Sequence, residues 1–356
     1  MKTIATIVGA RPQFIKVAPV SRALSATGAA REVLIHTGQH HDADMSDVFF
    51  DELGIAAPDY HLDVHGGGHG AMTGLMMQKL EPVLESLRPD RVLVYGDTNS
   101  TLAGALVAAK LHIPVAHVEA GLRSFNRAMP EEINRIVADQ VADMLFPSTA
   151  TAVDNLAREG VAAERIFAVG DVMYDAALQF AEVAGRRGGL LEKLSLTPNS
   201  YVLATIHRAE NTDSPGRLSA IVTALETVAK RIPVVLPLHP RTAARMDATG
   251  LSFEHVLTVP PVGYLDMVAL ESQAAVIATD SGGVQKEAFF YEVPCVTLRD
   301  ETEWVELVEL GWNRLAPPAS GELVEAILGA VGSRGTWAKP YGDGKAAEAI
   351  AALLTR

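Results

Sequence analysis

Acidic residues follow several predicted strands, at positions where proton transfer could be carried out. Asp97 comes directly after the buried run 91–95, and Glu119 follows the run 113–118. Glu131 stands at the start of a predicted helix. Each acid alone is more often a helix cap than a catalyst. Because strand ends and helix starts meet at the ligand-binding edge of a parallel sheet, the three together favour general acid–base chemistry there.

A second group of residues has the features of an anion site. A serine and two glycines lie between a short apolar run, 274–278, and a predicted helix, 284–291. The glycines let the backbone approach a ligand, and the first N–H groups of the helix favour an anion. Glu287 would lie about one turn into that helix, where a carboxylate suits the paired hydroxyls of a ribose. A plain helix cap with glycines for packing stays open. The three residues of this turn are Ser281, Gly282 and Gly283.

Two cations lie at the first turn of the chain. A predicted strand, 3–8, ends at Gly9, and Arg11 and Lys16 follow it in a helical pattern. Cations at the carboxyl end of a first strand suggest a phosphate or carboxylate site. A solvated pair of cations without a ligand is the alternative.

Composition excludes several classes of protein. The chain has 356 residues and a formal net charge of −13, which predicts two domains and argues against binding of nucleic acid. Its single cysteine, Cys295, excludes an internal disulfide and a cysteine-rich zinc site. Neither a metal-ligand cluster nor a dinucleotide fingerprint stands out, so we expect no metal and no NAD. Without a signal peptide or a membrane-length apolar run, we expect a cytoplasmic protein with no membrane partner.

Strands and helices alternate along both halves of the chain, on either side of a charged, glycine-containing segment near 180–199. This alternation predicts an α/β fold with two doubly wound parallel sheets facing a cleft. We expect an N-terminal Rossmann-like domain over 1–180, completed by a C-terminal helix at about 340–356, and a second Rossmann-like domain over 181–339. The predicted strands are 3–8, 33–35, 91–95, 113–118, 145–146, 166–169, 201–206, 232–238, 256–259, 274–278 and 295–298.

Seven motifs in order make the chain resemble the non-hydrolysing UDP-N-acetylglucosamine 2-epimerases over nearly its whole length. That family has the two-domain GT-B architecture, its C-terminal helix crosses back onto the first domain, and its members are usually homodimers. The motifs are Gly9-Ala10-Arg11-Pro12, Thr37-Gly38-Gln39-His40, Gly96-Asp97-Thr98, His117 to Arg123, Pro130 to Arg135, Thr205 to Asn211 and Thr279 to Gln285.

The resemblance implies roles at the matching positions. It implies a UDP-sugar substrate, with the diphosphate held at the serine–glycine turn, the ribose at Glu287, and Arg11 reaching the diphosphate from the other domain. The implied catalytic residues are Asp97, Glu119, Glu131 and His207. The implied UDP-sugar ligands are Arg11, Lys16, Arg123, Arg135, Arg208, Ser281, Gly282, Gly283, Glu287 and Arg299.

The chemistry of the family accounts for several carboxylates. The hydrogen at C2 of the sugar is not next to a carbonyl, so the family eliminates UDP from C1 as a base removes the C2 proton. Re-addition of UDP to the 2-acetamidoglucal, with protonation on the other face, inverts C2. Two faces need two proton-transfer groups, and the route needs neither NAD nor a metal. The implied activity is an isomerase interconverting UDP-N-acetylglucosamine and UDP-N-acetylmannosamine for surface polysaccharide precursors.

Departures from the family pattern leave the substrate open. Trp304 stands where many members have an arginine, and Lys286 stands where many have a second glutamate. These variants resemble the branch that acts on UDP-2,3-diacetamido-2,3-dideoxyglucuronate. His41 stands where allosteric members have an arginine, so we expect no strict activation by UDP-N-acetylglucosamine at a second site. A GT-B glycosyltransferase, a hydrolysing epimerase and a non-catalytic nucleotide-sugar sensor are the competing classes.

Overall fold

The computed structural model describes residues 1–39, 50 and 52–356. These residues divide into two compact units, Met1–Ala176 with Lys339–Arg356, and Ala177–Ala338. Each unit contains a six-stranded parallel sheet flanked by helices, which confirms the predicted α/β class. No helix in the described residues is long and apolar enough to span a bilayer.

The sheet of the first unit has the strand order β3-β2-β1-β4-β5-β6. The order reverses between β1 and β4, where doubly wound sheets bind ligands outside the carboxyl ends of the strands. The strands are β1 Lys2–Val8, β2 Ala30–His36, β3 Tyr60–His61, β4 Arg91–Tyr95, β5 Val115–Ala120 and β6 Met144–Pro147. The helices are α1 Arg11–Thr27, α2 His69–Leu87, α3 Asn99–Lys110, α4 Pro130–Val141 and α5 Ala150–Arg158, with α6 Val172–Arg187 continuing into the second unit.

The second sheet repeats this topology with the order β12-β11-β10-β7-β8-β9, so its reversal lies between β7 and β10. Its strands are β7 Val202–Thr205, β8 Val234–Pro237, β9 Leu257–Val259, β10 Val276–Thr279, β11 Cys295–Thr297 and β12 Asn313–Leu315. Its helices are α7 Leu190–Lys193, α8 Ala209–Thr212, α9 Pro215–Ala229, α10 Pro240–Thr249, α11 Tyr264–Ser272, α12 Gly282–Phe290, α13 Val305–Glu309 and α14 Leu323–Ala330.

The apolar runs of the central strands form the cores. In the first unit Ile7, Val94 and Leu145 are fully buried in one cluster, and in the second unit Val202 and Val276 are buried in another. Strands covered on both faces read as continuous apolar runs, which is why these strands were recognisable in the sequence. The close packing fixes the strand ends and therefore the turns that carry the polar residues.

One predicted strand is wrong and two observed strands were not predicted. Residues 166–169 form a single bridge, between Ile166 and Leu145, because the chain then turns away at Gly170 (φ 99°). A Cβ on Gly170 would lie 2.8 Å from the Tyr341 carbonyl oxygen, so this turn packs against the returning C-terminal segment. The unpredicted strands β3 and β12 have two and three residues and lie at sheet edges, where an apolar run is not needed.

The last helix, α15 Ala346–Leu354, packs against α1 in the first unit. The buried Asp175 carboxylate, on α6, accepts hydrogen bonds from the N–H groups of Ala346 (3.2 Å) and Ala347 (2.8 Å). Burial raises the pKa of Asp175 to about 6, although these hydrogen bonds act in the opposite direction. The attachment of the last helix therefore depends on a carboxyl group that titrates in the mildly acidic range.

Candidate functional site

The turn between β1 and α1 is tied to the end of β4. Glycine is required at position 9, because a Cβ there would lie 2.0 Å from the Thr37 hydroxyl oxygen. The Gln13 side chain accepts a hydrogen bond from the Gly9 N–H (2.8 Å) and donates one to the Tyr95 carbonyl (2.8 Å). Arg11 is exposed in the first turn of α1. It thus stands on a firmly held turn at the carboxyl edge of the sheet.

Lys16 and Glu119 form an ion pair at the same edge. Their side chains are mostly buried, with 11% and 14% exposed. Glu119 has a left-handed backbone (φ 68°) at an irregularity in the β5–β6 pairing, which re-aims its side chain. Gly96 faces the pair, since a Cβ there would lie 3.1 Å from the Glu119 carboxylate and 3.4 Å from the Lys16 ammonium. This arrangement holds the Glu119 carboxylate, a potential general base, beside the Lys16 ammonium.

Asp97 is oriented from α4. The Arg135 guanidinium lies 2.5 Å from one Asp97 carboxylate oxygen and 3.2 Å from the Glu132 carboxylate. The Asn134 amide donates to the Asp97 main-chain carbonyl at 2.9 Å. Both the main chain and the side chain of Asp97 are therefore fixed. Arg135, predicted to bind the substrate, is placed here as the partner of a predicted catalytic acid.

Two adjacent glutamates at the start of α4 have different environments. Glu132 is buried and accepts hydrogen bonds from the N–H groups of Ser124 and Phe125, both at 2.9 Å. Burial acts to raise the pKa of Glu132, but these hydrogen bonds and Arg135 bring it below its ordinary value. The Glu131 carboxylate is half-buried and has no ion pair or hydrogen bond in the part of the chain that the structure describes. Glu132 is thus held by its hydrogen bonds, whereas the Glu131 carboxylate is unpaired in the described residues.

The structure does not bring Arg123 to this group. Its guanidinium, 1% exposed, lies 2.8 Å from the Asp139 carboxylate and 2.6 Å from the Glu159 carboxylate. Asp139 also contacts the His117 Nδ1 at 2.8 Å, and the His117 Nε2 contacts the Gly96 carbonyl at 2.7 Å. Arg123 therefore belongs to a buried network of side chains. Through His117, this network contacts the Gly96 carbonyl in the turn before Asp97.

In the second unit, a buried aspartate fixes the turn after β7. The Asp280 carboxylate accepts hydrogen bonds from the N–H groups of His207 and Arg208, both at 3.1 Å, and from the Asn211 amide at 3.0 Å. The His207 ring nitrogen Nδ1 lies 3.6 Å from the same carboxylate. Burial lowers the pKa of His207 in spite of Asp280, and His239 and Arg208 act in the same direction as burial. His207 is thus held as a neutral imidazole near pH 7.

The serine–glycine turn lies at the N-terminus of α12, at the end of β10. Ser281 occupies the N-cap position, yet its hydroxyl makes no capping hydrogen bond. The alternative of a plain side-chain cap is therefore not what the structure shows. A Cβ on Gly282 would be in ordinary van der Waals contact with an Arg208 nitrogen (3.4 Å) and a Glu303 oxygen (3.7 Å). The N-terminus of α12 therefore lies beside the Arg208 guanidinium, and both features favour an anion.

Two arginines beside this turn are paired with acids. The buried Arg299 lies 3.1 Å from the Glu210 carboxylate and 2.8 Å from the Glu303 carboxylate. Arg208 lies 3.5 Å from Glu303 as well. Glu303 and Glu210 are about half exposed (52% and 45%), so both carboxylates face water. Arg208 and Arg299 are thus held by solvent-accessible carboxylates, which an anion that binds the arginines more tightly can displace.

Glu287 lies further along α12 and is partly buried. Burial raises its pKa to about 7, although the Lys286 ammonium acts to lower it. Glu271, on α11, is buried, and neither of its carboxyl oxygens has a hydrogen-bond partner in the described residues. Burial and the nearby Glu287 charge raise the pKa of Glu271 well above its ordinary value. Burial therefore favours the neutral form of Glu271, and Glu287 titrates near neutrality.

Comparison with known proteins identifies the family of this chain. A family model described as UDP-N-acetylglucosamine 2-epimerase matches residues 22–355. The chain belongs to this family. It is 53% identical to the UDP-2,3-diacetamido-2,3-dideoxy-D-glucuronate 2-epimerase of Pseudomonas aeruginosa, over 99% of each chain. A structure of UDP-GlcNAc 2-epimerase from Methanocaldococcus jannaschii is 42% identical, covers 99% of each chain and has a TM-score of 0.90. Another structure of that enzyme, in complex with UDP-GlcNAc and UDP, has a TM-score of 0.85.

Membership of the epimerase family confirms the resemblance deduced from the seven motifs, the GT-B fold class and the classification as an isomerase. The structure groups the predicted residues into two sets, one at each sheet edge. The first set contains Arg11, Lys16, Asp97, Glu119, Glu131 and Arg135, and the second contains His207, Arg208, Ser281, Gly282, Gly283, Glu287 and Arg299. His41, on which the expectation about allosteric activation rests, lies outside the described residues.

Several supporting residues of this epimerase were not predicted. Asp280 stands inside the motif Thr279 to Gln285 and directly follows β10, much as Asp97 follows β4. That position was a sufficient reason to include Asp280. Glu303 lies next to Trp304, well beyond the end of β11 at Thr297, so no strand end marks it. Asn134 lies inside the motif Pro130 to Arg135, whereas Asp139 lies further along the same helix, where no pattern separates it from other polar residues.

Proposed function

We propose that this protein is a non-hydrolysing 2-epimerase of a UDP-2-acetamido sugar. The observation that carries the proposal is a set of three carboxylates in the first unit: Asp97 just after β4, Glu119 near the end of β5 and Glu131 at the start of α4. A glycosyltransferase of the same fold class needs a pocket for an acceptor rather than several proton-transfer groups. Membership of the epimerase family supports the same reaction.

The reaction proceeds by elimination and re-addition. A carboxylate removes the C2 proton while the C1–O bond breaks, and the bonding electrons leave with the UDP oxygen. This step leaves a C1=C2 double bond in a 2-acetamidoglucal. UDP then adds back to C1 as a second acid delivers a proton to the opposite face of C2. Glu119, paired with Lys16, suits the role of base, and Asp97 and Glu131 suit the transfer at the other face.

The second unit is proposed to hold UDP. Ser281, Gly282 and Gly283 bind the diphosphate at the N-terminus of α12, where the helix dipole stabilises negative charge. Arg208 and Arg299 add positive charge, which also stabilises the departing diphosphate. His207 is neutral near pH 7 and donates a hydrogen bond to the leaving group.

Two substrates are candidates. One is UDP-N-acetylglucosamine, interconverted with UDP-N-acetylmannosamine, and the other is UDP-2,3-diacetamido-2,3-dideoxyglucuronate. The identity of 53% to the P. aeruginosa enzyme, against 42% to the M. jannaschii enzyme, favours the uronate. The residues Lys286 and Trp304, where this chain departs from the more common family pattern, support the same choice.

Proton NMR in deuterated water tests the proposal directly. Each sugar nucleotide is incubated with the protein, and inversion at C2 is followed together with incorporation of deuterium at C2. We expect inversion with solvent deuterium, fastest with the uronate, and no accumulation of free UDP. Retention of the C2 hydrogen would exclude the elimination route, and stoichiometric UDP release would indicate a hydrolysing enzyme. Without turnover of either nucleotide, a sensor function would replace the proposal.

The binding roles are tested separately by calorimetry with UDP. Arg11→Ala and Ser281→Trp should each weaken UDP binding, because the first removes a cation and the second fills the turn. Unchanged affinity in both variants would remove these residues from the binding site. We further propose a cytoplasmic homodimer that acts in the synthesis of surface polysaccharide precursors, as the family resemblance implies. Light scattering of the purified protein tests the dimer.

A further inference from the structure

Trp304 lies against the first turn of α12. Its indole Nε1 donates a hydrogen bond to the Gly282 carbonyl at 2.8 Å. A Cβ on Gly282 would lie 3.8 Å from that indole nitrogen and 3.4 Å from an Arg208 nitrogen. The indole therefore contacts the same glycine as one of the arginines that are proposed to meet the diphosphate.

Lys286 packs on the same indole. Its ammonium nitrogen lies 4.6 Å from the centre of the Trp304 ring, within the range of a cation–π interaction. Only 5% of the Lys286 surface is exposed, and a buried ammonium is costly unless its charge is compensated. The ring face supplies part of that compensation. A cation is thereby held within the first two turns of α12.

The segment that carries Trp304 is itself tied to α12. The Thr302 hydroxyl donates to the Gln285 side-chain oxygen at 2.6 Å, and the Gln285 amide donates to the Ser281 carbonyl at 3.2 Å. The Trp304 N–H donates to the Thr302 hydroxyl oxygen at 3.2 Å. Because these hydrogen bonds connect Trp304 to Ser281, the indole is held at a fixed position relative to the serine–glycine turn.

The bond to the Gly282 carbonyl has a defined consequence for anion binding. A peptide unit is planar, so fixing the direction of the Gly282 carbonyl also fixes the N–H of Gly283, which points the opposite way. That N–H belongs to the first turn of α12 and has no partner within the helix. A donor that is already oriented binds an anion more tightly than one that has to be ordered on binding.

We propose that Trp304 is a positioning residue for the diphosphate, and that Lys286, held by its ring, supplies positive charge to the same turn. The inference rests on the proposed binding of a UDP-sugar by the second unit. The pair also compensates for the absence of an arginine at position 304, because the Lys286 ammonium provides a cation near the same turn.

Paired tryptophan variants separate positioning from general stability. Trp304→Phe keeps an aromatic ring and removes the indole N–H. Trp312→Phe is the matched control, because the Trp312 indole donates a similar bond, 3.0 Å to the Thr336 carbonyl, in the same unit. UDP affinity is measured by calorimetry and uridine affinity by NMR titration, with thermal unfolding as a check on folding.

We expect Trp304→Phe to raise the Kd for UDP about fivefold and to leave the Kd for uridine unchanged, since uridine has no phosphate. Lys286→Met should raise the Kd for UDP about tenfold, with the same selectivity. In turnover assays both changes should raise KM with little change in kcat. Trp312→Phe should change neither affinity.

Equal effects of Trp304→Phe on UDP and uridine, or equal effects of the two Phe variants, would reduce Trp304 to a structural role and overturn the inference. Normal UDP affinity in both Trp304→Phe and Lys286→Met would overturn it as well. Wild-type protein that binds no UDP would instead reject the proposed function on which the inference rests.

Discussion

The proposed contact between Glu287 and the ribose should depend on pH. A carboxylate accepts hydrogen bonds from two hydroxyls only in its ionised form, since the protonated acid has to act as a donor at one oxygen. Burial raises the pKa of Glu287 to about 7. The affinity for a UDP-sugar should therefore be highest above pH 7 and should fall as the pH falls through that value.

The pKa sets the size of the effect. With a pKa of about 7, roughly nine tenths of the Glu287 side chains are ionised at pH 8 and one tenth at pH 6. The affinity should then drop about tenfold between these two pH values, which corresponds to about 1.4 kcal/mol. His207 acts in the opposite direction, because any proton it gains at low pH favours an anion. The measured drop is thus a lower limit for the contribution of Glu287.

Calorimetry with UDP-N-acetylglucosamine between pH 6 and pH 8 measures this dependence, since its diphosphate is a diester without a titrating group in that range. Glu287→Gln is the matched control, because it retains the shape of the side chain and leaves His207 in place. It should bind weakly and with little dependence on pH. A flat profile in the wild type, or an equal slope in Glu287→Gln, would refute the assignment of Glu287 to the ribose.

Three further predictions concern the first unit. Asp97→Asn, Glu119→Gln and Glu131→Gln should each fold but lose about 100-fold or more in kcat, as C2 inversion by NMR will show; near wild-type rates in all three would make these acids structural. Arg123→Ala should lower the free energy of unfolding by about 3 kcal/mol in denaturant titrations, because it removes the cation that lies beside the fully buried Asp139 carboxylate, and a neutral effect would contradict the buried network. Since the pKa of Asp175 is raised from 3.8 to about 6, its contribution to stability is present below pH 4 and is lost as the pH rises through 6. Relative to Asp175→Asn, the wild type should therefore lose about 2.4 kcal/mol between pH 4 and pH 7, and parallel pH profiles would contradict this.

The sequence predicted most of the fold because its central strands are buried on both faces. The apolar run of β4 has the bounds that were predicted, Arg91–Tyr95, since a charged residue and a glycine enclose it. Edge strands carry no such requirement, and β3 consists of Tyr60 and His61, both exposed. The segment 166–169 shows the opposite error, because an apolar run pairs with a neighbour only where the chain continues alongside it.

Candidate site residues could be predicted where an acidic residue stands at the end of a predicted strand, as Asp97 and Glu119 do. The partners of these acids were not, because pairing is a long-range property. Lys16 is separated from Glu119 by 103 residues, and no local pattern connects them. Arg123 illustrates the same limit, since a sequence does not distinguish a cation that faces a ligand from one enclosed by two acids.

An anion that binds at the second sheet edge meets the local charges of the side chains there. The net charge of the whole chain, −13, therefore neither favours nor excludes an anionic substrate. Arg208 and Arg299 already have acidic partners, so the local charge of the turn is nearly balanced before any ligand binds. A diphosphate that binds these arginines has to replace Glu303 and Glu210, and both carboxylates are free to turn into water because they are half exposed. The affinity for the diphosphate then reflects a difference between two free energies. One is that of the arginines bound to the diphosphate, and the other is that of the same arginines paired with Glu303 and Glu210. A diphosphate, with more negative charge and acceptors for the N–H groups of α12, is the stronger competitor.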